Sequence, residues 1–440
     1  MKMTNTDAPK HHASTPSFRE ALSTWTRIGL LSFGGPTAQI ALMHKVIVDE
    51  KKWLTEQQYL NALGFCMLLP GPEAMQLATY AGWRLHGLKG GLAAGLMFVL
   101  PGALVVLALS AIYAGYGQLP VIEAVFFGVK AAVLVIVVEA LLRIAKRALK
   151  LQEHWIIAAL SFIAIFFFAF PFPLIVALAA LWGYLRSSTG TTSTAVIAAS
   201  TPLPLRDTAV TVAVWLAIWA LPLLAIAALF GPTHILAQLS WFFSKLAMVT
   251  FGGAYAVLAY MGQDVVTQHK WLEAGQMMDG LGLAETTPGP LILVTEFVGY
   301  LAAYKQGGTS PVLMGMLGAV VALWATFAPC FLWIFAGAPY IDGLNAQPRL
   351  KGALAAITAA VVGVILNLAV WFGLHVFFGK VTETKTGPLT LWLPDLTTLD
   401  WRVVLIASIS AALLLRLHWG IPAVLGVASA LAIGMKTLSL

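Results

Sequence analysis

The chain has 440 residues, 59% of them hydrophobic and only 10% charged, with a net charge of +7. A soluble domain carries about 25% charged residues, so this composition excludes one and describes a polytopic membrane protein. The positive balance then reads as loop charge rather than a nucleic-acid surface. Two distant cysteines, Cys66 and Cys330, exclude a disulfide framework or a Cys-x-x-Cys metal or redox motif.

Residues 1–17 are polar and include His11 and His12. No basic start leads into an apolar core there, so a disordered tail without a cleavable leader is expected. Thirteen apolar segments follow, at about 20–43, 57–80, 91–113, 121–142, 155–170, 172–185, 208–230, 235–260, 275–301, 311–337, 352–378, 401–416 and 419–436. A spanning helix needs roughly 20 residues, which makes the fifth, sixth and twelfth marginal. Residues 187–207 are rich in Ser, Thr and Pro and read as a linker. Residues 380–400 read as a polar, Thr-rich loop with turns. The expected layout is a tail (1–17), a first membrane repeat (18–186), the linker (187–207), a connecting transmembrane helix (208–230) and a second membrane repeat (234–440).

The repeat rests on landmarks in strict register. Ser32-Phe33-Gly34-Gly35, Trp53-Leu54 and Pro70-Gly71-Pro72 recur 218 positions later as Thr250-Phe251-Gly252-Gly253, Trp271-Leu272 and Pro288-Gly289-Pro290. Lys130 corresponds to Lys351, and Pro101 to Pro329. The fold class expected is therefore all-α and polytopic, with two six-segment repeats joined by one extra span. Six spans plus one make the halves inverted; one re-entrant segment per half would make them parallel. On a thirteen-span layout fifteen Lys and Arg lie on the N-terminal side and eight on the other. That places the N-terminus inside and the C-terminus outside.

The breakers sit inside apolar segments. Proline lacks an amide proton, so Pro70, Pro72, Pro288 and Pro290 strip helical partners from carbonyls upstream. Such backbone is tolerated only where protein or a wet cavity surrounds it. A helix starting after Pro-Gly-Pro aims free N–H groups at that space, an anion-binding arrangement. The plainer alternative is kinked helices with tight glycine packing. Arg27 and Lys245 are again 218 apart and lie inside apolar segments. They suit a doubly charged anion, or they snorkel to the headgroups. The candidate substrate-binding set is Arg27, Lys245, Gly34, Gly35, Gly252, Gly253, Gly71, Gly289, Gln39, Gln76 and Thr287. Glu73, Glu285 and Asp279 are candidates for proton or charge coupling, with Glu73 equally readable as a helix cap. Lys130 and Glu139 read as partners for other helices. No Walker loop, metal cluster or nucleophile elbow is present, so no enzyme and no cofactor is expected.

These motifs resemble one family. Ser32-Phe33-Gly34-Gly35-Pro36, Leu69-Pro70-Gly71-Pro72-Glu73-Ala74 and Gln76-Leu77-Ala78-Thr79-Tyr80 are similar to the bacterial chromate transporter family in its long, two-domain form. So are Thr250-Phe251-Gly252-Gly253-Ala254-Tyr255, Glu285-Thr286-Thr287-Pro288-Gly289-Pro290 and Trp324-Ala325-Thr326-Phe327-Ala328-Pro329. The resemblance spans nearly the whole chain outside the tail and linker. It implies a secondary transporter in the bacterial inner membrane. It further implies that chromate is exported, driven by the membrane potential or a proton gradient, and that resistance follows. It implies sulfate as an analogue and competitor, with lipid as the surrounding partner and a homodimer as an assembly left open. A sulfate or oxyanion importer and an anion channel are the alternative readings.

Overall fold

The computed structural model describes residues 16–187, 205–251, 254–341 and 347–438. Sixteen α-helices lie among them. The first repeat holds α1 (Phe18–Leu31), α2 (Gly35–His44), α3 (Glu56–Leu68), α4 (Glu73–Tyr116), α5 (Pro120–Ala148), α6 (Gln152–Phe168) and α7 (Phe172–Arg186). Helix α8 (Leu205–Phe230) follows. The second repeat holds α9 (Ile235–Val249), α10 (Ala254–Gln263), α11 (Ala274–Thr286), α12 (Val294–Lys305), α13 (Pro311–Gly337), α14 (Pro348–Phe377), α15 (Trp401–Ala411) and α16 (Ile421–Thr437). Five are long and apolar enough to cross a membrane: α4, α5, α8, α13 and α14.

The duplication reaches into backbone detail. Helix α3 opens with a capping box between Thr55 and Gln58, and α11 with the equivalent Glu273 and Gln276. Helices α2 and α10 both end in a wide π turn, at Lys45–Glu50 and Asp264–Gln268. The turns that follow hold equivalent residues with positive φ, Lys52 and Lys270.

Each of the four breaks is the tip of a helical hairpin. The chain past α2 returns beside α1: Lys51 pairs with Glu20 at 2.8 Å, and Trp53 lies against Trp25. In the second repeat, Trp271 and His269 return to Phe242 of α9. Helices α3 and α4 form the next hairpin, with Phe65 facing Tyr80 across its arms. In α11 and α12 the same closure is made by Lys305, which donates to the Trp271 carbonyl (3.2 Å) and to Gln276 (2.6 Å).

Helix α4 is two helices. At Gly87 (φ 59°, ψ −148°) the backbone leaves the helical region, and Gly82 comes back against Gly90. A φ/ψ pair of that kind is open essentially to glycine alone. Its arms, 73–85 and 88–116, match the pair α12 and α13, where Gly299 meets Gly318.

The repeats interleave. Helix α7 packs along α14 of the other repeat, and α16 along α5. Glycines allow the close approach: Gly183 meets Gly352, and Gly128 meets the backbone of Ala428. Helices α5 and α14 cross in opposite directions. Leu134 faces Gly373, whereas Leu149, at the end of α5, clusters with Ala359 and Val362.

One expectation is corrected. The 380–400 segment is not an open loop, so the chain is not purely helical. Strands β1 (Val381–Thr386) and β2 (Leu389–Pro394) pair antiparallel, with Thr386 opposite Leu389. Gly387 (φ 60°) supplies the first position of a two-residue turn. Trp392 anchors the hairpin on Trp371 and His375 of α14.

Candidate functional site

The tips of the two repeats meet in the interior. The Gly71 N–H donates to the Thr250 carbonyl at 2.8 Å, and the Gly289 N–H donates to the Ser32 carbonyl at 2.8 Å. Each Pro-Gly-Pro tip is thus bonded to the Phe-Gly-Gly tip of the other repeat. The local sequence explains the fit. Ser32 and Thr250 turn their hydroxyls back onto Ile28 and Leu246, capping α1 and α9 and leaving their own carbonyls free. Gly71 (φ 120°) and Gly289 (φ 91°) take conformations that other residues rarely adopt. Gly102, after Pro101, lies against the Pro288 carbonyl; Cys330, after Pro329, lies against Gly71.

Two glutamines complete the junction. Gln39 donates to the Gly289 carbonyl at 2.6 Å, and Gln76 donates to the Pro70 carbonyl at 2.7 Å. Both side-chain oxygens remain buried without a hydrogen-bond donor. Their counterparts in the second repeat are Val257 and Val294, so the junction is symmetric in backbone and asymmetric in side chains. Thr287 turns its hydroxyl to the Ala284 carbonyl at 3.3 Å. Gly34 and Gly35 form the first tip, and the Tyr255 hydroxyl lies 4.0 Å from where a Gly35 Cβ would be. Gly252 and Gly253 lie outside the described residues.

The acidic candidates take three places. Glu73 begins α4 beside a cavity of about 100 Å³ that Cys66, Met67, Leu354 and Thr358 also line. Glu285 accepts from the Tyr255 hydroxyl at 2.7 Å. Asp279 accepts from the Tyr113 hydroxyl at 2.7 Å and faces the Lys130 ammonium at 3.5 Å. Asp279 and Glu285 are both buried, and each keeps one oxygen without a partner.

The basic candidates lie elsewhere. Arg27 is 60% exposed and sits 3.7 Å from Glu50. Lys245 is exposed as well, its ammonium 5.6 Å over the Tyr260 ring. Each is engaged within its own hairpin. Sequence reasoning passed over Arg143, which sits one helical turn past Glu139 and pairs with it. It read as loop charge because it lies near the end of an apolar run. Glu296, buried in α12 with no ion pair among the described residues, was missed too. An acid inside the run from Leu291 to Tyr300 was the available signal.

Interleaved apolar helices around two buried Pro-Gly-Pro tips define a multi-pass membrane protein built from an internal repeat. The family described as chromate transporter matches residues 19–184 and 237–435, and this chain belongs to it. It is 30% identical over 369 residues to the chromate transport protein of Cupriavidus metallidurans, covering 82% of this chain and 84% of that one. It is 31% identical over 369 residues to the chromate transport protein of Pseudomonas aeruginosa, covering 82% of each. An uncharacterized transporter of Bacillus subtilis is 36% identical over 106 residues, 24% of this chain and 60% of that one. No solved structure matches.

Proposed function

We propose that this protein exports chromate from the cytoplasm of a bacterium across the inner membrane and thereby confers resistance. The observation that carries this reading is the paired meeting of the tips, Gly71 with Thr250 and Gly289 with Ser32. Irregular backbone at that depth belongs where a substrate passes. Gly34, Gly35, Gly71, Gly289, Gln39, Gln76 and Thr287 line the passage. Asp279, Glu285 and Glu73 couple protons or charge. Arg27 and Lys245 act before binding, drawing the anion toward the outer faces of their hairpins.

The four hairpins are re-entrant, and nine helical segments cross: the 88–116 arm of α4, then α5, α6, α7, α8, α13, α14, α15 and α16. An even number of crossings per repeat, with α8 between them, inverts the halves. The opposed course of α5 and α14 supports this. Loop charge supports it further. Re-entry moves Lys45, Lys51 and Lys52 to the N-terminal face and Lys270 to the other. The division becomes sixteen against six, with Arg27, Lys130, Arg143 and Lys245 set aside as intramembrane. That bias supports an N-terminus inside and a C-terminus outside.

An inside-negative potential favours outward movement of net negative charge by about 2.3 kcal/mol per charge per 100 mV. The test is flux of labelled chromate and sulfate in proteoliposomes, with potential and pH gradients imposed separately. Saturable chromate movement toward the positive side is expected. Sulfate uptake without chromate flux, or non-saturating current, would replace the reading with an importer or a channel.

A further inference from the structure

The buried carboxylates of α11 do not stand alone. Each has a phenol and a cation of the first repeat or of its own tip beside it. Asp279 has Tyr113 at 2.7 Å and Lys130 at 3.5 Å. Glu285 has Tyr255 at 2.7 Å, with Arg143 and Glu139 within electrostatic reach. Lys130 and Arg143 both belong to α5, which packs along α11. The carboxylates are buried, whereas the two cations are about one-third exposed, 32% and 33%. Thirteen residues of helix separate Lys130 from Arg143, about 20 Å. The two groups of side chains therefore stand at different depths of one interface.

The pseudo-symmetric interface, between α14 and α3, lacks this chemistry. Lys351 corresponds to Lys130 and is exposed; Ala360 and Val364 take the places of Glu139 and Arg143. Asn61 and Met67 take the places of Asp279 and Glu285. Duplication supplied two equivalent interfaces; among the described residues only α5–α11 carries a carboxylate–cation pair, the other having Glu73 alone beside it.

We propose that the anion crosses along the α5–α11 interface, held in turn by Arg143 and Lys130 and released from them by Glu139 and Asp279. A dianion needs cations that water can reach and that a neighbouring carboxylate can reclaim. A cation held by its carboxylate cannot hold substrate, so each step exchanges one negative partner for another. Glu139 keeps Arg143 partnered between substrates. No bond is made or broken. The exposed pair Arg27 and Lys245 stands outside this route.

The inference rests on the transport reading, and one experiment separates the two. Wild type, Arg143→Gln, Lys130→Gln, Glu139→Gln and Lys351→Gln are reconstituted, and KM and maximal rate are measured with labelled chromate. Arg143→Gln and Lys130→Gln are each expected to raise KM at least tenfold. Glu139→Gln is expected to lower KM and the maximal rate together, because it frees Arg143 for the anion. A purely structural role would not produce that split. Lys351→Gln is expected to stay within twofold of wild type. If Arg143→Gln does not give a monodisperse protein, Arg143→Lys and Glu139→Gln carry the comparison. KM within twofold of wild type for both α5 cation variants would overturn the path. Wild type that moves sulfate but not chromate overturns the substrate, and the same KM ratios with sulfate then decide the path. Wild type that moves neither overturns both.

Discussion

At the scale of single residues, the tip glycines set the tolerance of the junction. A Cβ on Gly71 would lie 2.8 Å from the Gln76 amide nitrogen and 2.9 Å from the Cys330 sulfur, at a φ of 120°. Strain of that kind costs on the order of 1–3 kcal/mol. Gly71→Ala is therefore expected to lower the melting temperature of the purified protein and to weaken the Thr250 bond across the repeats. Pairing it with Cys330→Ala removes one of the two obstructions. Partial recovery of the melting temperature in the double variant is expected; no recovery would place the cost in the backbone and the Gln76 contact. The glycine motifs were visible in the sequence, since helix breakers in apolar runs are costly unless buried. Which tip meets which was not, because a backbone bond between residues 179 or 257 positions apart leaves no mark on either side chain. The same limit hid the outward placement of Arg27 and Lys245, since apolar surroundings in sequence do not say which face of a helix a cation occupies.

At the scale of elements, the β1–β2 hairpin is held at its base by Asp400. Its N–H donates to the Phe377 carbonyl at 2.9 Å, and its carboxylate accepts from the Arg402 amide at 3.0 Å, capping α15. The Arg402 guanidinium holds this carboxyl below the usual carboxylate range. A depressed carboxyl stabilises the fold fully above the unfolded value, about 3.9, and stops doing so as pH falls through the folded value. Asp400→Ala is expected to cost about 1 kcal/mol, the worth of an N-cap. Amide exchange of residues 381–394, corrected for the intrinsic rate, reads it out. Protection should fall in wild type as pH drops below about 4. In Asp400→Ala it should be low already at neutral pH and change little on acidification. Helix positions were legible because hydrophobic runs and caps are local. The strands were overlooked because a polar edge hairpin shows only weak alternation, although the Gly387-Pro388 turn was there to be read.

At the scale of the whole molecule, duplication was legible and topology was not. Thirteen apolar runs can be thirteen spans, or nine crossings with four re-entrant hairpins, and hydropathy weighs both alike. Contacts between hairpin bases favour the second, as proposed above: Lys51 meets Glu20 and Lys305 meets Trp271, residues that thirteen spans would hold on opposite faces. The difference has an observable sign. Lys52 and Lys270 occupy equivalent turns with the same backbone conformation, φ 52° and 53°. A cysteine placed at either therefore meets the same strain, and the native Cys66 and Cys330 are buried. With re-entrant hairpins and inverted halves, Lys270→Cys faces outside and Lys52→Cys inside. An impermeant maleimide added to intact cells is then expected to label only Lys270→Cys, with Lys52→Cys labelled after permeabilisation. Thirteen full spans would reverse the two results for the same N-terminal orientation. Parallel halves would put both cysteines on one face, and the two variants would label together.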